Sequence, residues 1–260
     1  MIMKKMLIGY AILMLIFGFY DLNISLALFN NSSIFAEIFD RIGYFPMMIL
    51  ASLAFMILSF KSHKYLFMSL ALIFDIIIVL AYSYFADSFS FIILLLAILL
   101  IYLEYNFAKK IYLKYQEEAI YLAKAIILFM TLAFFTTEIL KIIWGRPRFR
   151  AMDNPLEEFK AWYILSPFGL KDEVRSFPSA HTTQAAMIIG LLFFNDLKII
   201  KKRQPLTIFI IIWTISVALS RVIAGAHFAS DVLTGMMVSY SAYYLIKHYY
   251  FNKHLNENQD

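Results

Sequence analysis

The sequence predicts an all-α protein, a polytopic bundle of membrane-spanning helices. Of its 260 residues, 62% are hydrophobic and only 16% are charged, whereas a soluble domain carries about 25% charged residues. So much apolar surface does not fit inside one aqueous core, so the bilayer must be the main solvent. Uncharged runs such as 6–20 and 206–220 are long enough to form buried helices. Because neither an internal repeat nor a low-complexity linker interrupts them, we predict one integral-membrane domain, residues 1–260.

The apolar runs predict about eight spans. We place them at 6–20, 45–60, 65–86, 91–107, 119–140, from 182 onward, 206–220 and 232–246. Residues 109–118 are predicted to be a solvated linker. Between the first two spans, Ile34, Phe35, Ile38 and Phe39 recur at helical spacing, which predicts an amphipathic helix on the membrane surface. The first run follows Lys4 and Lys5 and resembles a secretory signal, but lacks a clear cleavage site, so we interpret it as a retained helix.

The distribution of basic residues predicts the orientation. Cytoplasmic loops carry an excess of lysine and arginine. With both termini in the cytoplasm, the inner segments hold Lys4, Lys5, Lys61, Lys64, Lys109, Lys110, Lys114, Lys198, Lys201, Lys202, Arg203, Lys247 and Lys253. The loop 141–181 then lies outside. The net charge of +5 thus indicates anionic lipid headgroups rather than nucleic acid as the partner.

Residues 220–231 concentrate charge within this apolar chain. His227 and Asp231 lie four residues apart, so on a helix they share a face, and the carboxylate can orient the imidazole. Arg221 is always charged and can bind an oxyanion. A salt bridge that joins two membrane helices would also explain these residues, although ionisable groups inside a membrane usually mark a functional site.

Two further stretches change the interpretation. Upstream lie Pro178-Ser179-Ala180-His181 and a segment that contains Lys141 and Arg148. Together with Ser220, Arg221, His227 and Asp231, these stretches resemble the type-2 phosphatidic acid phosphatase superfamily of membrane lipid phosphatases. The resemblance covers about residues 119–247 and departs from the family pattern twice. Ala180 stands where the family has glycine, and Phe149 stands where it has proline.

The resemblance implies a role for each motif residue and a six-helix phosphatase core in the C-terminal part. His227 would attack phosphorus and form a phosphohistidine, and Asp231 would orient its ring. His181 would protonate the leaving alcohol and later activate water. The phosphate would be bound by Lys141, Arg148, Arg221, Ser179 and the backbone at Ala180. No cofactor is implied, and the site is expected to face the periplasm or outside of a bacterial inner membrane.

Three nearby residues are candidates for accessory roles. Pro147 favours an extended backbone at Arg146, which would point Arg146, Arg148 and Arg150 the same way. That row would suit a second phosphate or anionic headgroups. Glu138 lies one helical turn before Lys141 and is positioned to pair with it.

Several alternatives remain open at the sequence level. His181, His227 and Asp231 are residue types that bind zinc, but three cations nearby would repel a metal ion, so we predict none. The absence of cysteine excludes disulfides and thiol catalysis. A phosphotransferase would use the same residues, and a lipid transporter belongs to a different class. The substrate is open among undecaprenyl diphosphate, phosphatidylglycerol phosphate, phosphatidate and lipid A phosphates, and so is the oligomeric state.

Overall fold

The computed structural model describes residues 2–85, 91–166, 171–197 and 199–251, and all regular structure in these segments is helical, as predicted. The helices are α1 Ile2–Leu28, α2 Ile34–Ile42, α3 Phe45–Ser59, α4 Lys64–Phe85, α5 Phe91–Trp144, α6 Pro155–Glu158, α7 Ala180–Ala186, α8 Leu191–Asp196, α9 Arg203–Ile223 and α10 Ala229–Ile246. A 3-10 turn, Met187–Gly190, joins α7 to α8. The predicted end of the third span at 86 and residues 252–260 lie outside the described residues.

Five helical segments of the described chain are long and apolar enough to cross a membrane. They are Met3–Leu28, Ile34–Ser59, Lys64–Ser83, Phe91–Ala151 and Arg203–Ile223. The segments Met3–Leu28, Ile34–Ser59, Lys64–Ser83 and Arg203–Ile223 correspond to the predicted first, second, third and seventh spans, and Phe91–Ala151 contains both the fourth and the fifth. The counterparts of the sixth and eighth spans, α7–α8 and α10, are not among these segments. The bundle of apolar helices is confirmed, whereas the count of eight stays a prediction.

Helix α5 changes direction at Gln116, whose backbone angles (φ 34°, ψ −102°) are not helical. Before this residue, the Tyr112 ring stacks on Phe60 at the end of α3, and the Tyr105 ring contacts Phe60 at a tilt. Directly after it, Glu117 pairs with Lys61, and the second half of α5 then runs back along α3. The prediction of a solvated segment at 109–118 is confirmed at Lys109, Lys110, Lys114 and Glu117, which are exposed, but the segment is not an irregular linker. This segment is helical, and Ile111 within it is buried.

The centre of the bundle is α3, which packs against α4 and both halves of α5. Ala54, Met56 and Ile57 on α3 are completely buried. The same core continues into the 3-10 turn and α8, and Gly190 at the end of that turn lies against Leu50 and Phe129. This core therefore joins the N-terminal helices to the motif-bearing ones.

Two acidic side chains are buried among α3, α4 and α5. Asp75 is 1% exposed and accepts a hydrogen bond from the Ser52 hydroxyl at 3.1 Å. It faces protein rather than lipid, as ionisable groups inside a membrane generally do. Glu104 is 6% exposed, so it too is buried inside the bundle rather than at the membrane interface.

The three motif blocks meet at one end of the bundle. Helices α5 and α9 end there, and α7 and α10 begin there, as the bonds between Ser179 and Asp231 and between Arg146 and Asp231 show. The opposite end is marked by ion pairs from Lys61 to Glu117 and from Lys247 to Asp196. The topology inferred from the sequence correctly brings the motif residues to a single end.

The close packing of α10 on α7 gives a test of this architecture. A methyl group at Gly235 would lie 2.6 Å from the Ser179 carbonyl oxygen and 3.1 Å from the Thr183 hydroxyl. We expect Gly235→Ala to push α7 away from α10 and to destabilise the protein by about 1–3 kcal/mol, the usual cost of overpacking. Thermal unfolding in detergent measures this effect. Gly9→Ala is the control, because a methyl group there meets nothing within 4 Å, and equal melting temperatures for the two variants would contradict the packing.

Candidate active site

His227 lies in the short connection between α9 and α10 and is 3% exposed. Its Nδ1 is 2.6 Å from the Ser176 carbonyl oxygen. A carbonyl oxygen only accepts hydrogen bonds, so Nδ1 carries the proton and Nε2 keeps its lone pair. Burial lowers the pKa of the His227 imidazole to about 3; Asp231 opposes this shift, while the positive charges of Lys141 and Arg148 add to it. His227 is therefore a neutral imidazole with Nε2 available as a nucleophile.

Asp231 lies in the first turn of α10 and is completely buried. Its Oδ2 accepts hydrogen bonds from the Ser176 hydroxyl at 2.6 Å and the Phe228 amide at 2.8 Å. The distance from this oxygen to His227 Nδ1 is 3.9 Å, too long for a hydrogen bond. Asp231 thus holds the segment around Ser176 and Phe228, and the Ser176 carbonyl orients the imidazole directly.

Arg146 is the largest completely buried side chain in the described residues. Its guanidinium binds Asp231 at 2.5 Å and Asp21 of α1 at 3.0 Å, and its Nε donates to the Lys160 carbonyl at 2.8 Å. The Phe228 ring lies 4.0 Å from its central carbon. The expected row of Arg146, Arg148 and Arg150 does not form, because two carboxylates draw Arg146 into the protein interior, where its donors are not free for phosphate.

Lys141 lies on the last turn of α5, and its ammonium donates to the Arg175 carbonyl at 2.6 Å. One of its three N–H groups is used in this way, so others remain for a phosphate oxygen. Glu138 pairs with the Arg175 guanidinium at 2.5 Å. The prediction that Glu138 pairs with Lys141 is therefore wrong. Arg175, which comes from the loop before α7, is the partner of Glu138 instead.

Arg148 and Arg150 follow the buried Arg146 at the edge of the site. Arg148 donates to Asp172 at 2.7 Å, and its charge acts on both His181 and His227. Arg150 is exposed, and its backbone amide donates to the Gly225 carbonyl at 2.9 Å. Between them, Phe149 is buried, with its ring 5.2 Å from that of Phe29. Packing of this phenylalanine holds the turn for which the family pattern uses proline.

The segment from Ser179 to His181 opens α7. The Ser179 hydroxyl accepts from the Thr182 amide at 3.3 Å, and the Ser179 amide donates to the Asp231 carbonyl at 3.0 Å. Ala180 is the first helical residue. Helical φ is negative, so alanine fits where the family pattern has glycine. The first amides of a helix have no intrahelical acceptor, so those of Ala180 and His181 suit an anion.

A carboxylate from α2 contacts two of the predicted site residues. Asp40 pairs with the Arg221 guanidinium, and the same carboxylate oxygen is 3.3 Å from His181 Nε2. The Asp40 carbonyl oxygen lies 3.1 Å from that nitrogen. His181 and Arg221 are therefore joined by Asp40, a carboxylate that the motifs do not contain.

The zinc alternative has no support in the geometry. Within residues 2–85, 91–166, 171–197 and 199–251, no three His, Cys, Asp or Glu side chains come close enough together to hold a metal ion. His181, His227 and Asp231 therefore do not form the three-ligand site that their residue types allow.

Comparison with known families agrees with the site. The family model described as the PAP2 superfamily matches residues 122–255, just over half of the chain. The chain belongs to the PAP2 superfamily. No solved structure matches the chain. Because PAP2 proteins are phosphatases, the chain has a phosphatase-type phosphoryl hydrolase activity, and with its apolar helices it is an integral membrane protein.

Three residues that complete the PAP2 site were missed by motif reasoning. Asp21 and Asp40 precede the matched region, and Ser176 lies just before the second motif block. The available signals were weak: Asp21 directly follows the first apolar run, and Asp40 belongs to the amphipathic segment. Asp21 and Asp40 each contact a residue more than 100 positions away in the chain, so spacing along the chain does not reveal these contacts.

The buried Arg146 cluster gives a stability prediction for this PAP2 protein. Arg146→Met should destabilise the protein by about 3–5 kcal/mol, because Asp21 and Asp231 would lose the positive charge that compensates them. Activity should fall as well, since Asp231 holds the segment that orients His227. Thermal unfolding and phosphate release measure the two effects. Arg150→Met is the matched control at an exposed arginine, and equal behaviour of the two variants would show that Arg146 does not hold the site together.

Proposed function

We propose that this protein is an integral-membrane lipid phosphatase that hydrolyses the phosphomonoester or diphosphate of a membrane lipid through a phosphohistidine at His227. The observation that carries the proposal is the state of His227. Its Nδ1 is committed to the Ser176 carbonyl, its imidazole is neutral, and motif cations surround it. A neutral imidazole with one fixed tautomer suits nucleophilic catalysis.

In the first step, Nε2 of His227 forms a bond to phosphorus while the bond from phosphorus to the lipid oxygen breaks. Lys141, Arg148 and Arg221 would stabilise the charge on the transferring phosphoryl group, which is the main task in phosphoryl transfer. A protonated His181 would give its proton to the departing lipid oxygen. No metal is needed, since the cations supply the positive charge.

In the second step, His181 takes a proton from water, and the water oxygen attacks phosphorus. The phosphorus–nitrogen bond breaks, so that inorganic phosphate leaves and His227 returns to its neutral form. The proton lost in the first step is thereby regained. If a lipid alcohol replaced water, the same residues would run a phosphotransferase.

A cavity next to His181 supports a lipid as the substrate. It has a volume of about 340 Å³ and is lined by Met47, Met48, Phe74, Met130, Thr131, Phe134, Phe135, Gln184 and Met187. Gln184 follows His181 by three residues on α7, and Met47 follows Tyr44, whose ring contacts His181. The cavity thus begins one helical turn from the proposed acid. Methionine side chains adapt to chains of different shape.

The charge distribution supports an external site. Lys61 and Lys247 lie at the end of the bundle opposite to the motif residues, and lysine-rich ends of short loops stay in the cytoplasm. In a bacterium, the substrate phosphate would then be met on the periplasmic or outer side of the inner membrane.

Separate substitutions test the two histidines. We expect His227→Ala to abolish turnover of every substrate, because no phosphohistidine forms. His181→Ala should still form phosphoenzyme from p-nitrophenyl phosphate, whose leaving group departs without a proton. With a lipid phosphate it should lose about 100- to 10,000-fold, the usual contribution of general acid catalysis. Released phosphate and acid-labile labelled protein are the measurements.

A panel of the four candidate lipids, assayed in the same way, would name the substrate. Equal losses on both substrate types, with no trapped intermediate, would contradict the role of His181. Phosphate that appears on a second lipid rather than in solution would identify a phosphotransferase.

Cysteine labelling tests the orientation, because the chain has no native cysteine. Asn154 is exposed in the loop at the motif end, and Lys64 is exposed at the opposite end. In intact cells, a membrane-impermeant maleimide should label Asn154→Cys but not Lys64→Cys. After lysis, it should label both variants. The reverse pattern would place the site in the cytoplasm.

A further inference from the structure

Helix α2 lies beside the candidate site and is anchored to α9. Ser33 caps its first turn by accepting from the Ala36 amide at 3.3 Å. At its other end, the Phe39 ring packs on Trp213 with 5.7 Å between centroids, and the Trp213 indole donates to the Gly43 carbonyl at 3.3 Å. This anchoring fixes Asp40, the next residue after Phe39, at the mouth of the site.

Asp40 binds the two groups that the proposed reaction needs for phosphate and for the leaving oxygen. One carboxylate oxygen lies between the Arg221 guanidinium and Nε2 of His181. The Asp40 carbonyl also accepts from this nitrogen, so the N–H that would face the departing lipid oxygen points at Asp40 instead. A substrate phosphate with its leaving oxygen needs the same two donors. Asp40 and the phosphate therefore exclude each other from this position.

The charge balance explains why a carboxylate is present there. Arg221 is 3% exposed, and the positive charges of Arg148 and Arg150 act on it. A buried cation among other cations is costly unless it is paired. In the described residues, neither Nε nor Nη1 of Arg221 has a hydrogen-bond partner; Asp40 contacts Nη1 only as an ion pair, so the donors of Arg221 are poorly satisfied. A phosphate, with more acceptor oxygens and more charge, would satisfy them better.

The two partners differ in how easily they move. The Asp40 side chain is 42% exposed, so it reaches water by rotating outward. The Arg221 side chain is buried and stays in place. Exchange between carboxylate and phosphate at Arg221 therefore needs only rotation of the Asp40 side chain.

We propose that Asp40 is a resident competitor of phosphate, which pairs with Arg221 and occupies the Nε2–H of His181 in the empty site and must be displaced when a phosphoryl group binds. It thereby weakens the binding of substrate phosphate and of product phosphate alike and assists product release. The identification of the ligand as a phosphoryl group rests on the proposed function, but the competition itself rests on the contacts of Asp40.

Binding of inorganic phosphate and of orthovanadate to the purified protein tests this competition. Asp40→Asn keeps the shape but removes the charge, so we expect both anions to bind about 10-fold more tightly, since the competing closed state is no longer favoured. Asp40→Glu, which keeps the charge, should bind them like the wild type. Glu37→Gln on the same helix is the control; Glu37 pairs with Arg41, outside the site, and its substitution should leave both affinities unchanged.

Thermal unfolding provides a second measurement that is independent of the binding assay. Without anion, Asp40→Asn should melt at a lower temperature than the wild type, because Arg221 is unpaired. Added phosphate should raise its melting temperature more than that of the wild type, because a ligand that binds the folded state more tightly stabilises it more. Anion affinity that is unchanged or weaker in Asp40→Asn would overturn the proposal.

The result is separable from a failure of the proposed function. A wild-type protein that binds phosphate but hydrolyses no lipid phosphate would refute the function and leave the competition standing. Hydrolysis by the wild type, with equal phosphate affinity in Asp40→Asn, would refute the competition and leave the function standing.

Discussion

The contact on which the site depends is the ion pair of Arg146 with Asp21 and Asp231, whose three side chains are completely buried. Charges in a low-dielectric interior are stable only when they are paired and hydrogen-bonded. Ser230 completes the cluster by donating to Asp21. The requirement for pairing holds α1, the loop after α5 and the start of α10 in one arrangement. Asp231 also fixes Ser176 by accepting its hydroxyl hydrogen bond, and the Ser176 carbonyl in turn orients His227.

The site balances its charges differently at its base and at its mouth. At the base, Arg146 is neutralised permanently by carboxylates that no ligand can reach. At the mouth, Arg221 is neutralised by Asp40, which is partly exposed and able to leave. The same residue type, arginine, therefore serves as a structural support in one place and as a binding group in the other. Burial of the partner carboxylate decides which of the two it becomes.

The N-terminal helices take part in the site although the family match begins at residue 122. Helix α1 supplies Asp21, α2 supplies Asp40, and α3 lines the apolar cavity with Met47 and Met48. Each contribution controls access or position rather than the chemical step itself. In the proposed mechanism, the motif residues perform the chemistry, and the preceding helices adjust it in this particular chain.

Composition and local spacing by themselves determined the helical membrane class, the motif residues and their meeting at one end, because these are properties of short segments and of their order. Only the tertiary structure decided which arginine turns inward, that Glu138 pairs with Arg175, and that α5 turns back at Gln116. It also brought Asp21 to Ser230, 209 residues away in the chain. Such pairings depend on which buried charges find a partner once the helices pack, and a local sequence pattern carries no information about a partner so distant.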